Sequence, residues 1–289
     1  MSDSTVRILQ LLRACDGYLS SREICGELGI SRTAVWKHIE QLRLEGYRID
    51  AMRRRGYRLR GEGPDSLQLP EIQSRLQTSR VGRVYRFFHE LSSTNREAMA
   101  SARSGDPEGT VIVADRQTAG RGRLMRAWFS PPGKNIHASV VLRPDIAPAD
   151  VPQVSLVTAL VLARVLRSYD ANLAVKIKWP NDVFVTGRKV AGILCDTQSE
   201  LDRVHTLVVG VGINVNVERD EWPSELAQSA TSLCAAIGAR VARAAILASL
   251  LNAFETAYEE WLEQGLASFI PELESMSLLL GHRIAVETG

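Results

Sequence analysis

Apolar residues in the first 45 positions follow a helical period. Val6, Ile8, Leu9, Leu11 and Leu12 predict a short, mostly buried helix. Ser20-Ser-Arg-Glu23 has the form of a capping box and opens a second helix through Ile24 and Leu28. Gly29 breaks that helix, Ser31 is a good N-cap, and a third helix is expected from Arg32 to about Glu45. In it Val35, Ile39 and Leu42 recur on the core side, which leaves Arg32, Thr33, Trp36, Lys37 and Glu40 on the other. Beyond Gly46, two short strand-like runs flank Arg53-Arg54-Arg55-Gly56 and read as a β-hairpin. Helix, glycine turn, polar-faced helix and hairpin make a winged helix-turn-helix. Arg32, Thr33, Trp36 and Lys37 could then enter a major groove while Arg53, Arg54 and Arg55 touch phosphates.

Gly61-Glu-Gly-Pro-Asp-Ser66 is a polar, turn-rich stretch and the natural domain boundary, followed by a short helix from Leu69 to Leu76. Strand-like runs then alternate with helical ones. Tyr85–Leu91 reads as a strand leading into Ser92-Ser93-Thr94-Asn95 and a helix from Arg96 to about Ala102. Ser93 and Thr94 could cap that helix or hydrogen-bond a polar ligand. Thr110–Ala114 and Ile136–Leu142 are expected strands, and Val154–Tyr169 is a helix so apolar that it must pack on the sheet. Val175–Lys178 is a strand delivering Trp179-Pro-Asn-Asp182. Val183–Cys195 is a hairpin turning at Gly187, with Lys189 on its returning strand. Leu207–Asn216 is a strand carrying Gly210 and Gly212, and helices follow over Ala230–Ala236 and Arg243–Trp261.

Charge changes this picture at one place. The net charge is +2, but residues 1–60 hold 12 Lys and Arg against 7 Asp and Glu, and the rest hold 23 against 26. A basic head on a slightly acidic body implies a polyanionic partner for the head. No stretch of about 18 apolar residues occurs, so no membrane-spanning segment is expected. Nor does the start, Met1-Ser-Asp-Ser-Thr, have the form of a secretion signal. The four cysteines (Cys15, Cys25, Cys195, Cys234) are scattered without metal-ligand spacing, which fits reduced thiols in a cytoplasmic protein and no protein-held metal.

The densest chemistry lies between two strands. Gly120-Arg121-Gly122-Arg123 alternates backbone freedom with fixed positive charge and contains no apolar anchor, so it reads as a mobile loop that orders on an anion. Two familiar phosphate cradles are excluded. Gly210-Val-Gly212 lacks a third glycine and a following helix, and no Gly-x4-Gly-Lys-[Ser/Thr] occurs.

Ser93-Thr94-Asn95, Gln117-x-x-Gly120-Arg-Gly-Arg123 with Trp128, Lys178-Trp-Pro-Asn-Asp182, Arg188-Lys189-x-Ala-Gly192 and Gly212-Ile-Asn214 occur in one order. Together they resemble the biotin–protein ligases. Ser31-Arg32-Thr33-Ala34-Val35-Trp36-Lys37-His38 also resembles the winged helix of bacterial biotin-operon repressors. The whole chain from about residue 5 to 270 is therefore similar to the bifunctional biotin ligase and biotin-operon repressor.

That resemblance implies an α+β multidomain fold. A winged helix-turn-helix would span residues 1–62, a linker and short helix 63–80, and a mixed α/β catalytic domain of class II synthetase-like type 81–270. Residues 271–289 would hold the truncated start of a C-terminal SH3-like β-barrel, with Leu278 opening its first strand. The implied activity is ATP-dependent, with magnesium: biotin becomes biotinyl-5′-AMP and is then transferred to a lysine of the biotin carboxyl carrier protein of acetyl-CoA carboxylase. The adenylate-bound homodimer would bind operator DNA. By the same resemblance Ser93, Thr94 and Gln117 hold the ureido end of biotin, and Arg121, Arg123 and Lys189 neutralise carboxylate and α-phosphate. Asp182 would orient or deprotonate the incoming lysine. Asn95, Gly120, Gly122, Trp128, Gly192, Gly212 and Asn214 complete the adenylate site. A DNA-binding biotin sensor with little ligase activity, and a lipoate–protein ligase, are the alternatives. The chain departs from the family pattern at Ser92, where aspartate is usual, and at Leu124-Met125 within the loop.

Overall fold

The computed structural model describes residues 3–61 and 63–284, and its contacts divide the chain into two compact units, 1–76 and 77–289. In the first, α1 (Asp3–Ala14), α2 (Ser21–Leu28) and α3 (Arg32–Leu44) precede a hairpin of β1 (Arg48–Met52) and β2 (Gly56–Arg60). The capping box forms as expected, with Ser20 and Glu23 each satisfying the other's backbone N–H, and Gly29 ends α2 in the left-handed conformation. Ser31 caps α3. Ile8, Leu9, Ile24, Val35, Ile39 and Leu42 close a core with no exposure.

The unit ends later than the Gly61–Ser66 stretch would suggest, because α4 (Leu69–Gln73) is tied into it. Glu71 on α4 is buried, and its carboxylate takes Nη2 of Arg13 at 2.7 Å and Nη2 of Arg75 at 2.9 Å, and also accepts the Tyr47 hydroxyl. A carboxylate so enclosed is tolerable only because cations and a hydroxyl replace its water.

The second unit is built on a seven-stranded sheet. Its strands are β3 (Tyr85–Leu91), β4 (Val111–Gln117), β5 (Ile136–Leu142), β6 (Val175–Lys178), β7 (Asp182–Val185), β8 (Arg188–Ser199) and β9 (Val204–Ile213). They lie in the order β3-β4-β5-β9-β8-β7-β6, with β3 and β4 parallel and every other neighbour antiparallel. The helix α5 (Thr94–Arg103) packs on β4, β5 and β9, and α6 (Val151–Tyr169) on β6 and β8. With residues 148–150, α6 is long and apolar enough to cross a membrane by length and composition, yet it is mostly buried, with α8 (Arg243–Gln264) against it. A short α7 (Leu233–Ile237) comes between them in sequence, three residues later than the apolar pattern placed it, because Ala230 instead bridges to Lys189.

Glu255 of α8 fixes the entry to this unit. Its carboxylate accepts the backbone N–H groups of Ser79, Arg80 and Val81 at 2.5, 2.9 and 2.7 Å. Burial alone would raise its pKa; the N–H groups of Val81, Ser79 and Arg80 outweigh burial and hold it below the usual carboxylate value.

The expected barrel strand does not form among the described residues. After α9 (Ile270–Met276) the chain makes one parallel bridge, Ile177 with Ser277, and Leu278 donates its N–H to the Ile177 carbonyl at 2.8 Å. Residues 279–284 have no strand pairing. The segment turns instead, with the Leu279 and Leu280 N–H groups donating to Ser277 Oγ at 3.2 and 3.0 Å. Residues 285–289, the rest of that expected strand, lie outside the described residues.

Candidate active site and nucleic-acid interface

The sheet order brings together segments that are far apart in sequence. The start of α5, the end of β4, the β6–β7 turn, the start of β8 and the end of β9 surround one cavity of about 710 Å³. Ser93, Thr94, Asn95, Gln117, Arg121, Gly122, Arg123, Trp128, Asp182, Lys189, Gly192, Gly212 and Asn214 all line it. Gly120 does not; it lies behind Gln117, where a Cβ would come within 2.9 Å of the amide nitrogen.

The polar residues of the α5 turn do not all face the cavity with spare hydrogen bonds. Ser93 caps α5, accepting from the Arg96 N–H. Gln117 stands on β4, which runs three residues past the expected Ala114, and its Oε1 accepts both the Thr94 N–H at 2.7 Å and the Thr94 hydroxyl at 3.1 Å. Asn95 is committed to the protein. Its Nδ2 donates to the Leu194 carbonyl at 3.1 Å and to Asp196 at 2.9 Å, while Oδ1 accepts from Ser139 at 2.6 Å. A Cβ on Gly210 would sit 1.9 Å from Asn95 Oδ1, so that glycine makes room for the asparagine. Asn214 is held similarly, its Oδ1 taking Asn135 Nδ2 at 3.2 Å.

Trp128 forms a wall. A Cβ on Gly212 would meet its indole at 2.7 Å and one on Gly192 at 3.2 Å, so both glycines allow the ring to seat against the sheet. Lys189 Nζ lies 5.5 Å from the same ring and 2.7 Å from Asp182 Oδ1. The Lys189–Asp182 contact is a charge pair within the cavity. Two residues expected to act on different groups therefore face each other.

Between Gly120 and Trp128 the loop is a small closed turn. Trp128 N–H reaches Gly120 O at 2.9 Å and Gly122 N–H reaches Arg126 O at 2.8 Å, and Arg121 bridges Ala127. Arg123 Nη1 donates to Asn181 Oδ1 at 3.2 Å, and Arg121 Nη2 stands 3.9 Å from Asp196. Leu124 and Met125 both have positive φ, 54° and 58°, and are 83% and 72% exposed. Left-handed backbone costs such residues on the order of 1 kcal/mol each, and no burial offsets it.

Behind the wall lies a network that the sequence did not reveal. Ser130 Oγ accepts the Gln117 N–H at 2.8 Å and lies 2.7 Å from His137 Nε2. Burial, and after it the Arg243 guanidinium, push the His137 imidazole down to about 3. Neutral His137 can thus receive the Ser130 hydroxyl hydrogen while Ser130 holds the Gln117 backbone. Phe129 and Trp222 were also missed; both line the cavity, with ring centroids 5.4 Å apart. Trp222 falls in a stretch without helical or strand period, and its only signal was an aromatic in polar surroundings.

In the first unit Arg32, Thr33, Trp36, Lys37, Arg53, Arg54 and Arg55 are all exposed. None of these cations forms an ion pair among the described residues, whereas Arg43 is bound to Glu40 and Arg60 to Asp50. The arrangement is a helix and a wing tip with unmatched positive charge.

Comparison with known proteins agrees on both units. Residues 87–214 match the biotin/lipoate A/B protein ligase family and residues 6–58 an HTH domain. The bifunctional ligase/repressor BirA of Bacillus subtilis is 41% identical over 276 residues, covering 96% of this chain and 84% of the relative. This chain belongs to the bifunctional biotin ligase/repressor family. Its Escherichia coli member, also a bifunctional ligase/repressor BirA, is 33% identical, with 100% of this chain and 88% of the relative covered. Among solved structures, the biotin protein ligase of Aquifex aeolicus in complex with biotin and ATP superimposes with a TM-score of 0.60 at 31% identity, covering 69% of this chain and 80% of that one. The biotin ligase catalytic fold and the N-terminal helix-turn-helix are thus established for this member of the family, and its SH3-like barrel is not.

Proposed function

We propose that the chain is an ATP-dependent biotin–protein ligase that also represses transcription in response to biotin. The observation carrying this is the convergence of Gln117, Arg121, Arg123, Trp128, Asp182 and Lys189 on one cavity. A biotin carboxylate oxygen attacks the α-phosphate of ATP and pyrophosphate leaves. A lysine amine of the carrier then attacks the acyl carbon, and AMP leaves. Both steps build charge on oxygen, so fixed cations supply the stabilisation. Thr94 and Gln117 hydrogen-bond the ureido end, Trp128 walls the apolar part, and Arg121 and Arg123 clamp the anions. Lys189 is matched by Asp182 at 2.7 Å; an acyl phosphate competes for that ammonium and leaves Asp182 to accept the proton of the incoming lysine. Ser93 and Asn95 act by shaping the turn rather than by touching ligand. Magnesium bound with ATP would neutralise phosphate charge at this site. Asn181 and Asp182 offer oxygen donors in the cavity, and no cluster of three or more His, Cys, Asp or Glu suited to a metal occurs among the described residues.

The carrier is the biotin carboxyl carrier protein of acetyl-CoA carboxylase, and the compartment the cytoplasm, which suits four free thiols. Incubation with biotin, ATP, magnesium and that carrier domain should add the mass of one biotinyl group; lipoate in place of biotin should add nothing. An unmodified carrier would leave a DNA-binding biotin sensor, and lipoylation would reassign the enzyme.

The exposed, unmatched cations of α3 and the wing favour the second activity. Adenylate-bound protein dimerises through its second unit and presents two heads to an operator. Operator affinity in gel shifts should rise with biotin plus ATP and fall steeply with salt, and equal affinity without them would defeat the coupling.

A further inference from the structure

Trp36 stands out on α3. It is 53% exposed, although a tryptophan normally gains by burial and Val35, Ile39 and Leu42 beside it are fully enclosed. It shares one helical face with Thr33, Lys37 and Glu40, one turn after Arg32. The charge of Glu40 is bound to Arg43 at 2.7 Å, while Arg32 and Lys37 remain unmatched on either side of the indole. The face is therefore an apolar plate framed by cations that suit a phosphate backbone.

Resting on the repressor reading above, we propose that Trp36 selects operator sequence by packing against the C5-methyl group of a thymine in the major groove. An indole offers one N–H donor and no acceptor, so it cannot make the paired hydrogen bonds by which arginine, asparagine or glutamine identify a base. Of the four bases only thymine presents an apolar group on its major-groove edge. A large apolar side chain on a groove-facing helix thus has one base feature to recognise. Its neighbours Arg32 and Lys37, with Arg53, Arg54 and Arg55 of the wing, set affinity without reading sequence.

The test uses the full chain with biotin, ATP and magnesium. A pool of random DNA duplexes is put through repeated rounds of binding, and the enriched duplex is remade with each thymine in turn replaced by deoxyuridine, which lacks only the methyl group. At one position per half-site, affinity should fall roughly three- to ten-fold, about what the burial of one methyl group supports. Trp36→Ala should bind the unmodified duplex at that lowered level and be indifferent to the replacement. Trp36→Leu, which keeps apolar surface, should retain part of the sensitivity. Trp36→Ala should form biotinyl-adenylate at the parent's rate, because the exposed side chain does not hold the fold. Enrichment of a duplex with no deoxyuridine-sensitive position, or equal sensitivity in Trp36→Ala, would overturn the proposal alone. No enrichment of any sequence would remove the repressor reading and this proposal with it.

Discussion

His137 offers a quantitative handle on the second unit. Its imidazole titrates at about 3 in the folded chain, against about 6.5 when solvated, because burial and the neighbouring Arg243 disfavour the cation. Between those values the unfolded chain takes up a proton that the folded chain refuses, so stability is complete above about pH 6.5 and falls as pH drops towards 3. Going from about pH 7 to about pH 5 should therefore cost about 2 kcal/mol through this group alone. The window lies above the range in which Glu255, whose pKa is lowered, takes up its proton, so that carboxylate does not confuse the result. His137→Gln keeps a polar group near Ser130 without a titration in this range. Urea unfolding followed by tryptophan fluorescence reports chiefly on the second unit, which holds Trp128, Trp179, Trp222 and Trp261. The parent should lose about 2 kcal/mol more than His137→Gln over the interval. Equal losses would mean that His137 is charged in the folded protein, and the Ser130–Gln117 arrangement built on its neutrality would fall with it.

Asn95→Ala should lower stability by about 3 kcal/mol, since it strands Leu194 O, Asp196 and Ser139 in a buried site; a melting temperature unchanged from the parent would return Asn95 to a ligand-binding role. Gly212→Ala should cost about 1–3 kcal/mol and weaken biotin binding, measured by calorimetry, and Trp128→Phe in the same chain should cost less than the sum of the two changes because the smaller ring relieves the overlap; strict additivity would separate the two positions. Glu71→Ala should destabilise the first unit by about 1–3 kcal/mol, since it removes the buried carboxylate that Arg13, Arg75 and the Tyr47 hydroxyl share, so that operator binding weakens while biotinyl-adenylate formation persists. Loss of adenylation in that variant would show that the damage is not confined to the first unit and would refute the prediction. Lys189→Ala should abolish biotinyl-adenylate formation in a single turnover, and near-normal rates would remove Lys189 from the mechanism.

The periodic parts of the chain were readable in advance for a physical reason. Helices α2 and α3 are set by local capping and by apolar spacing, and both appear where Ser20, Gly29 and Ser31 put them. The site motifs were readable as residues but not as partners. That Lys189 meets Asp182 follows from the β7–β8 pairing and its register shift, which no local pattern encodes. Asn95 looked like a ligand-binding amide because its real partners, Leu194, Asp196 and Ser139, lie about a hundred or forty-four residues away. His137 was passed over because a single histidine in an apolar strand carries no signal until Ser130 and Arg243 are placed beside it. At the C-terminus, residues 278–284 have strand-like composition but no strand pairing, because composition does not encode which segment lies alongside.

Backbone hydrogen bonds secure both sides of the cavity, but to different extents of the fold. Gly192 and Gly212 are register partners on β8 and β9, and β9 lies at the middle of seven strands, so that floor can separate only if the sheet itself comes apart. The Gly120–Trp128 turn closes its backbone hydrogen bonds on itself. Amide exchange should accordingly be slowest across the floor and fast along the rim. Substitutions in that turn can then alter how long an intermediate is retained without altering whether the domain folds, which leaves residence time open to change at Leu124 and Met125 while the catalytic scaffold stays fixed.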